Sequence, residues 1–135
     1  VLRSPEKLEQ VREQSGELGG IAPTTRAEEH VFVLLSITAG IGEEILYRGL
    51  LLTVLTAALG TWPSVALSAV IFGLGHTYQG RAGIVKTAGV GLVLALLAVG
   101  TGSLFIPMLL HAVVDVTSGT MMGRAVRGAP QGQAA

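Results

Sequence analysis

Three groups of polar residues in this chain have the types and spacing that acid–base chemistry needs. They are Glu43-Glu44-x-x-x-Arg48, His76 at the end of Phe-x-x-x-His, and His111-x-x-x-Asp115. Each group lies among apolar residues, and a Glu, Asp or Arg at the centre of a bilayer costs about 2.5–3.5 kcal/mol on insertion scales. We therefore expect these side chains to pair with one another or to form a functional site.

Helical spacing gives most of these residues a partner. Glu44 and Arg48 are four residues apart, so on a helix they share a face and can form a salt bridge that neutralises both charges. Glu43 points about 100° away from Glu44 and is suited to exchange a proton with water. His111 and Asp115 are also four residues apart, so either the carboxylate orients the imidazole or both side chains point at one substrate oxygen.

The composition predicts that membrane-spanning helices position these residues. Of the 135 residues, 50% are apolar and 13% are charged. Residues 49–80 and 87–114 contain no Asp, Glu, Lys or Arg, and each stretch exceeds the roughly 20 residues that a spanning helix needs. The sequence has no cysteine, which excludes disulfides, thiolate zinc sites and cysteine nucleophiles. The net charge is zero, and nothing indicates nucleic-acid binding.

We predict an all-α fold, a polytopic transmembrane bundle of four core helices with a short N-terminal amphiphilic segment. Thr25-x-x-Glu28 has the form of a capping box and predicts that the first core helix begins near Arg26. Running to Leu59, this helix would be about 50 Å long at 1.5 Å per residue. It must therefore project into water, tilt strongly or break near the Gly-Ile-Gly of residues 40–42.

The other core helices are predicted over residues 63–78, 83–99 and 103–122. Residues 1–25 then form a leader with a short surface helix, residues 26–123 the core, and residues 124–135 a cytoplasmic tail.

Basic residues lie at alternate ends of the predicted helices, which the positive-inside rule makes cytoplasmic. They are Arg26, Arg81, Lys86, Arg124 and Arg127. Helical rise, counted from the uncharged turns, places the polar groups at a similar depth of about 12–24 Å. We expect a multi-pass cell-membrane protein with its site toward the cytoplasmic half of the bilayer, and the Ala-, Gly- and Arg-rich composition favours a bacterial inner membrane.

The ordered motifs resemble those of the CAAX prenyl protease and bacteriocin-processing family of intramembrane proteases (CPBP, or Abi). That family's pattern is Glu-Glu-x-x-x-Arg, Phe-x-x-x-His and His-x-x-x-Asn/Asp on separate transmembrane helices, and the resemblance runs over about residues 30–118. Members commonly have further transmembrane helices before this core, so the resemblance implies that the leader follows upstream helices.

The resemblance also implies a role for each motif residue. The first glutamate and the histidine of the second motif hold and activate a water, the third motif stabilises the oxyanion, and the Glu–Arg pair shapes the site. An Asn in the last position donates through its amide, whereas a carboxylate donates only when protonated, so Asp115 alternatively orients His111. The implied site residues are Glu43, Glu44, Arg48, His76, His111 and Asp115.

We predict an intramembrane endopeptidase that hydrolyses a membrane-associated or lipidated peptide or protein substrate without a covalent intermediate. No serine has a base in helical register, the mechanism needs no cofactor, and the partners are membrane lipids and the substrate. A zinc-dependent metalloprotease is the closest alternative, although His-x-x-x-His and His-Glu-x-x-His do not occur. Two alternatives belong to other classes of protein. One is a catalytically silent regulator or bacteriocin immunity protein. The other is a proton-coupled transporter, which is less favoured because the four predicted helices contain no inverted repeat.

Overall fold

The structure is a computed structural model that describes residues 22–128. The leader predicted over residues 1–25, including its surface helix, lies outside this range apart from residues 22–25, and residues 129–135 of the predicted tail also lie outside it. The described part of the chain consists of helices joined by short turns and contains no strand. The predicted all-α fold is confirmed.

Helix α1 (Arg26–Glu44) begins where the capping box predicts. The Thr25 hydroxyl accepts a hydrogen bond from the Glu28 backbone N–H at 3.2 Å, and the Glu28 carboxylate accepts one from the Thr25 N–H at 3.3 Å. These bonds satisfy backbone donors that the start of a helix otherwise leaves without partners. The first motif consequently falls at the C-terminal end of α1.

The first helix continues through a π-helical segment (Ile45–Leu51) into helix α2 (Leu52–Leu59). A break at residues 40–42, one of the three alternatives for this long helix, is wrong because α1 runs through them. The α-helical hydrogen-bond pattern changes one turn later instead, where the Leu52 backbone N–H bonds to the Tyr47 carbonyl, five residues earlier and not four. Such widened turns are rare and frequently lie at functional sites. Arg48 belongs to this segment and is buried.

Helix α3 (Thr61–Gly75) is joined to helix α4 (Gly80–Thr101) by a 3₁₀ turn (Thr77–Gln79). With its 15 residues, α3 is about 22 Å long, which is shorter than the roughly 30 Å hydrocarbon core of a bilayer. Because α3 ends at Gly75 and not near residue 78, His76 lies at its C-terminal end beside the turn to α4.

Helix α5 (Phe105–Gly128) extends past its predicted end at residue 122 and includes Arg124 and Arg127. Arg127 forms an ion pair with Glu29 of α1 and donates a hydrogen bond to the Pro23 carbonyl at 3.4 Å. The start of α1 and the end of α5 therefore lie together, and the two helices are antiparallel.

Glycines permit the closest helix contacts. A Cβ atom on Gly40 of α1 would lie 2.9 Å from the backbone nitrogen of Ala112 in α5, and a Cβ on Gly73 of α3 would lie 2.7 Å from the Cβ of Ala88 in α4. Small residues allow helices in membranes to approach this closely. Gly73 therefore serves the close approach of α3 to α4.

The surface of the described residues suits a lipid environment. Large apolar side chains are exposed on all the helices, among them Leu34, Val54, Val70, Val85 and Leu109. Three helical segments are long and apolar enough to cross a membrane, namely Arg26–Leu59, Thr77–Thr101 and Phe105–Arg127, and α3 is a shorter apolar helix. The chain is a multi-pass helical membrane protein.

Candidate active site

The six residues predicted to form the site lie together between α1, the π-helical segment, α3 and α5. Neighbouring charged or ring atoms within this group are 2.7 to 3.9 Å apart. The residues are Glu43 and Glu44 from α1, Arg48 from the π-helical segment, His76 from the end of α3, and His111 and Asp115 from α5. Helical rise predicted that these residues lie at a similar depth, and in the structure they lie next to one another.

Glu44 lies at the centre of the buried part of the site. Its Oε1 accepts hydrogen bonds from Arg48 Nη1 at 2.7 Å and from His111 Nδ1 at 2.8 Å, and all three side chains are buried. The bond to Arg48 is the salt bridge that the spacing predicts. The bond to His111 links different helices, so spacing within one helix could not reveal it.

Arg48 is held from two helices. Its second terminal nitrogen, Nη2, donates a hydrogen bond to the Gly91 carbonyl of α4 at 2.9 Å, and its guanidinium carbon lies 4.4 Å from the centre of the Phe72 ring. Gly91 belongs to none of the three motifs. No spacing rule relates a backbone carbonyl on one helix to a side chain 43 residues earlier.

Phe72 packs against the rings of both site histidines. Its ring centre is 4.8 Å from that of His76 and 5.6 Å from that of His111, and Tyr47 contacts it edge-on at 4.9 Å. The Phe72 side chain is 1% exposed, so it has little room to move. Packed aromatic rings of this kind fix one another's orientation. Phe72 therefore holds both imidazoles in place, in addition to covering Arg48.

One hydrogen bond identifies the ring nitrogen of His76 that carries a proton. Its Nδ1 lies 2.8 Å from the Phe72 carbonyl oxygen, and a carbonyl oxygen can only accept, so Nδ1 carries the proton. In the neutral ring Nε2 then has a free lone pair. This nitrogen faces Glu43, whose Oε2 is 3.7 Å away.

Glu43 points into the space between the two histidines. Its Oε2 is 3.7 Å from His76 Nε2 and 3.9 Å from His111 Nε2, and it accepts no hydrogen bond from any residue within 22–128. The side chain is 33% exposed, whereas that of Glu44 is fully buried. The first glutamate of the motif is therefore the more accessible of the two, although its Oε2 is buried and has no hydrogen-bond partner among the described residues.

Asp115 lies on the same accessible side. Its Oδ2 is 3.6 Å from His111 Nε2, and its side chain is 36% exposed. The Nδ1 atom on the far side of the imidazole is bound by Glu44. Glu44 is thus the carboxylate that orients His111 through a hydrogen bond, and Asp115 faces the nitrogen that an incoming substrate would meet.

The distances between the donor atoms show what zinc binding would require. Within residues 22–128 no three His, Asp or Glu side chains are placed to hold a metal ion. Glu43 is 3.7 and 3.9 Å from the two imidazole nitrogens, whereas ligands at 2.0–2.1 Å from a tetrahedral zinc would be about 3.3 Å apart. These side chains would have to move about 0.4–0.6 Å closer together to hold zinc.

Comparisons with curated proteins and with solved structures gave no significant match. The sequence model of one family, described as type II CAAX prenyl endopeptidase Rce1-like, matches residues 28–117. This range contains all three motifs and more than half of the chain, and it confirms the resemblance seen in the motifs. On that basis the chain belongs to the type II CAAX prenyl endopeptidase Rce1-like family, whose members are membrane-embedded proteases.

Proposed function

We propose that this protein is an intramembrane endopeptidase that cleaves a membrane-associated or lipidated peptide with a water molecule activated by Glu43 and His76. The observation that carries the proposal is the placement of Glu43 Oε2, which lies 3.7 Å from His76 Nε2, is buried and has no hydrogen-bond donor among the described residues. Two acceptors that face each other at this distance are suited to share a bridging water. Family membership supplies the reaction class.

The protonation of His76 directs the water. Because Nδ1 donates to the Phe72 carbonyl, Nε2 accepts one hydrogen of the water while Glu43 accepts the other. The oxygen lone pairs then point away from both residues and toward a substrate carbonyl. Glu43 takes the proton as the water oxygen attacks the carbonyl carbon, which is general base catalysis.

His111 stabilises the negative oxygen that forms in this step. Its Nδ1–H is bound to Glu44, so Nε2 is the nitrogen that donates to the oxyanion, and the ring is then positively charged. Asp115, 3.6 Å from that nitrogen, stabilises the charged ring. Donors that are already in place where charge develops lower the barrier without reorganisation.

Collapse of the tetrahedral intermediate completes the reaction. Glu43 returns its proton to the leaving amine nitrogen, the C–N bond breaks, and the products are a carboxylic acid and an amine. No residue of the enzyme forms a covalent bond with the substrate.

The substrate and the membrane side belong to the same proposal. The family description names CAAX prenyl endopeptidases, which supports a lipidated peptide as the substrate class. The basic residues at the shared end of α1 and α5, including Arg26, Arg124 and Arg127, support a cytoplasmic location of that end by the positive-inside rule. We infer a bacterial inner-membrane protein with its site toward the cytoplasmic half.

The test compares two glutamine variants with one control variant. Protein reconstituted in liposomes is given a fluorophore-quencher peptide that carries a farnesylated CAAX-type sequence. Glu43→Gln keeps the shape and hydrogen bonding of the side chain but removes the base, so cleavage should fall by about 10²–10⁴-fold. His76→Gln should also lose activity, whereas His30→Gln, at an exposed position of α1, should behave as wild type.

Two results would contradict the proposal. Near-normal cleavage by Glu43→Gln rules out Glu43 as the base. A wild-type protein that leaves the farnesylated peptide intact rules out this substrate class and favours a silent membrane regulator.

A further inference from the structure

We propose that Gly91 of helix α4 is a positioning residue of the hydrolytic site, acting through Arg48 and Glu44 on His111. This inference rests on the proposed function. Helix α4 contributes none of the three motifs, yet its backbone reaches the buried arginine, since Arg48 Nη2 donates to the Gly91 carbonyl at 2.9 Å.

A continuous set of hydrogen bonds connects this carbonyl to the site. Arg48 Nη1 donates to Glu44 Oε1 at 2.7 Å, and the same oxygen accepts from His111 Nδ1 at 2.8 Å. The donors of a guanidinium are fixed relative to one another in one plane. Displacement of Nη2 from Gly91 therefore also displaces Nη1 and the carboxylate that orients His111.

Only glycine leaves room for this arrangement. A Cβ atom at position 91 would lie 2.8 Å from Phe72 Cδ1 and 3.3 Å from Arg48 Nη2. Phe72 is packed against the rings of both site histidines and is almost completely buried, so it cannot turn aside without moving them. Even a methyl group at position 91 must shift either the ring or the guanidinium.

The predicted effect is on the chemical step and not on substrate binding. Gly91 and Arg48 are both buried, whereas the side chains that incoming molecules can reach are those of Glu43 and Asp115. A change at Gly91 should thus lower kcat and leave KM nearly unchanged.

Helix α4 offers a matched control. A Cβ atom on Gly89, two residues earlier, meets no atom within 4 Å, so Gly89→Ala makes the same chemical change without the clash. With the farnesylated peptide in liposomes, Gly91→Ala should lower kcat by about 100-fold, the scale expected for a displaced catalytic group. Gly89→Ala should keep both kcat and KM.

A spectroscopic measurement shows whether the effect reaches His111. The chain has three histidines, so ¹⁵N-histidine labelling gives a simple NMR spectrum that single-histidine variants can assign. The hydrogen-bonded Nδ1 proton of His111 should be seen in the wild type and in Gly89→Ala, and it should shift or disappear in Gly91→Ala. Equal kcat values for the two alanine variants, or a lower kcat with an unchanged His111 signal, would overturn the proposal.

Arg48→Lys provides a second variant if Gly91→Ala does not insert. A lysine keeps the charge beside Glu44 but lacks the planar fork that reaches two partners, so it should reproduce both the kcat loss and the change at His111. A fully active Arg48→Lys protein with an unchanged His111 signal would also overturn the proposal. An inactive Glu43→Gln with a fully active Gly91→Ala refutes only the role of Gly91, whereas an active Glu43→Gln refutes the proposed function itself.

Discussion

Glu44 accepts a hydrogen bond from His111 at 2.8 Å, which joins the end of α1 to the second turn of α5 in the protein interior. The neighbouring Glu43 faces His111 from the opposite side of the ring, with 3.9 Å between Oε2 and Nε2. Consecutive residues of a helix point about 100° apart, so two adjacent glutamates can meet both nitrogens of one imidazole. Glu44 is thus the buried carboxylate that orients the His111 ring, and Glu43 is the partly exposed one.

Removal of Arg48 alone should destabilise the protein. Arg48→Ala leaves the buried Glu44 with His111 as its remaining partner, and breaking a buried ion pair in this way costs about 3–5 kcal/mol. Glu44→Gln combined with Arg48→Met removes both charges and should recover most of that loss. The measurement is thermal unfolding in detergent, and a double variant no more stable than Arg48→Ala would show that the two residues do not stabilise each other.

The same double variant should fold without cleaving the peptide. A neutral amide at position 44 no longer stabilises a charged His111, so oxyanion stabilisation is lost although the buried region is packed. Wild-type cleavage by the double variant would contradict the role given to Glu44.

Two substitutions of Asp115 separate its possible roles. If Asp115 stabilises the charged His111, the amide oxygen of an asparagine can accept from the ring in its place, and the amide N–H can in addition donate to the oxyanion, as the Asn of the family motif implies. Asp115→Asn should therefore keep cleavage within about tenfold of wild type, whereas Asp115→Ala should lose about 100-fold, as for the removal of an oxyanion donor. Equal rates for the two variants would show that cleavage does not depend on a hydrogen bond from the side chain at position 115.

Much of the fold could be predicted because the helices are marked by residues that are close together in the sequence. The capping box fixes the start of α1 at Arg26, and the long uncharged stretches give the helices. The end of α3 was placed too late because His76 leaves the helical conformation, with φ −106° and ψ 31°, while Gly80 has a positive φ of 72° at the start of α4. Apolar periodicity does not detect such a turn.

The contacts within the site were less predictable. The pair of Glu44 and Arg48 follows from spacing along one helix, but the bonds from His111 to Glu44 and from Arg48 to Gly91 depend on how helices are rotated against each other. For α1 and α5 that rotation depends on close approaches such as Gly40 against Ala112, which a single sequence does not specify. The π-helical segment was also missed, since no residue type marks it.

Metal removal should leave the activity unchanged. If Glu43 and His76 activate water directly, prolonged treatment with a zinc chelator has no effect on cleavage, and elemental analysis finds less than one tightly bound zinc per chain. Loss of activity on chelation that returns only with zinc would reverse this assignment, because zinc would then be the group that activates the water.

Close packing of α1 against α5 predicts opposite effects for two neighbouring glycines. A Cβ on Gly40 would lie 2.9 Å from the Ala112 nitrogen and 3.1 Å from the Met108 carbonyl oxygen, whereas a Cβ on Gly42 meets nothing within 4 Å. Gly40→Ala should therefore destabilise the protein by about 1–3 kcal/mol, the usual cost of overpacking. Gly42→Ala should be neutral or stabilising by up to about 1 kcal/mol, because alanine favours a helix.

Cleavage should follow the same order as the unfolding temperatures. Gly40 is one helical turn from Glu44, so a methyl group that separates α1 from α5 also lengthens the bond from Glu44 to His111 and lowers kcat. Gly42→Ala leaves that distance unchanged and should retain its activity. If both alanine variants unfold at the same temperature and cleave at the same rate, α1 and α5 do not pack at Gly40 as described, and the position of Glu44 against His111 would have to depend on Arg48 alone.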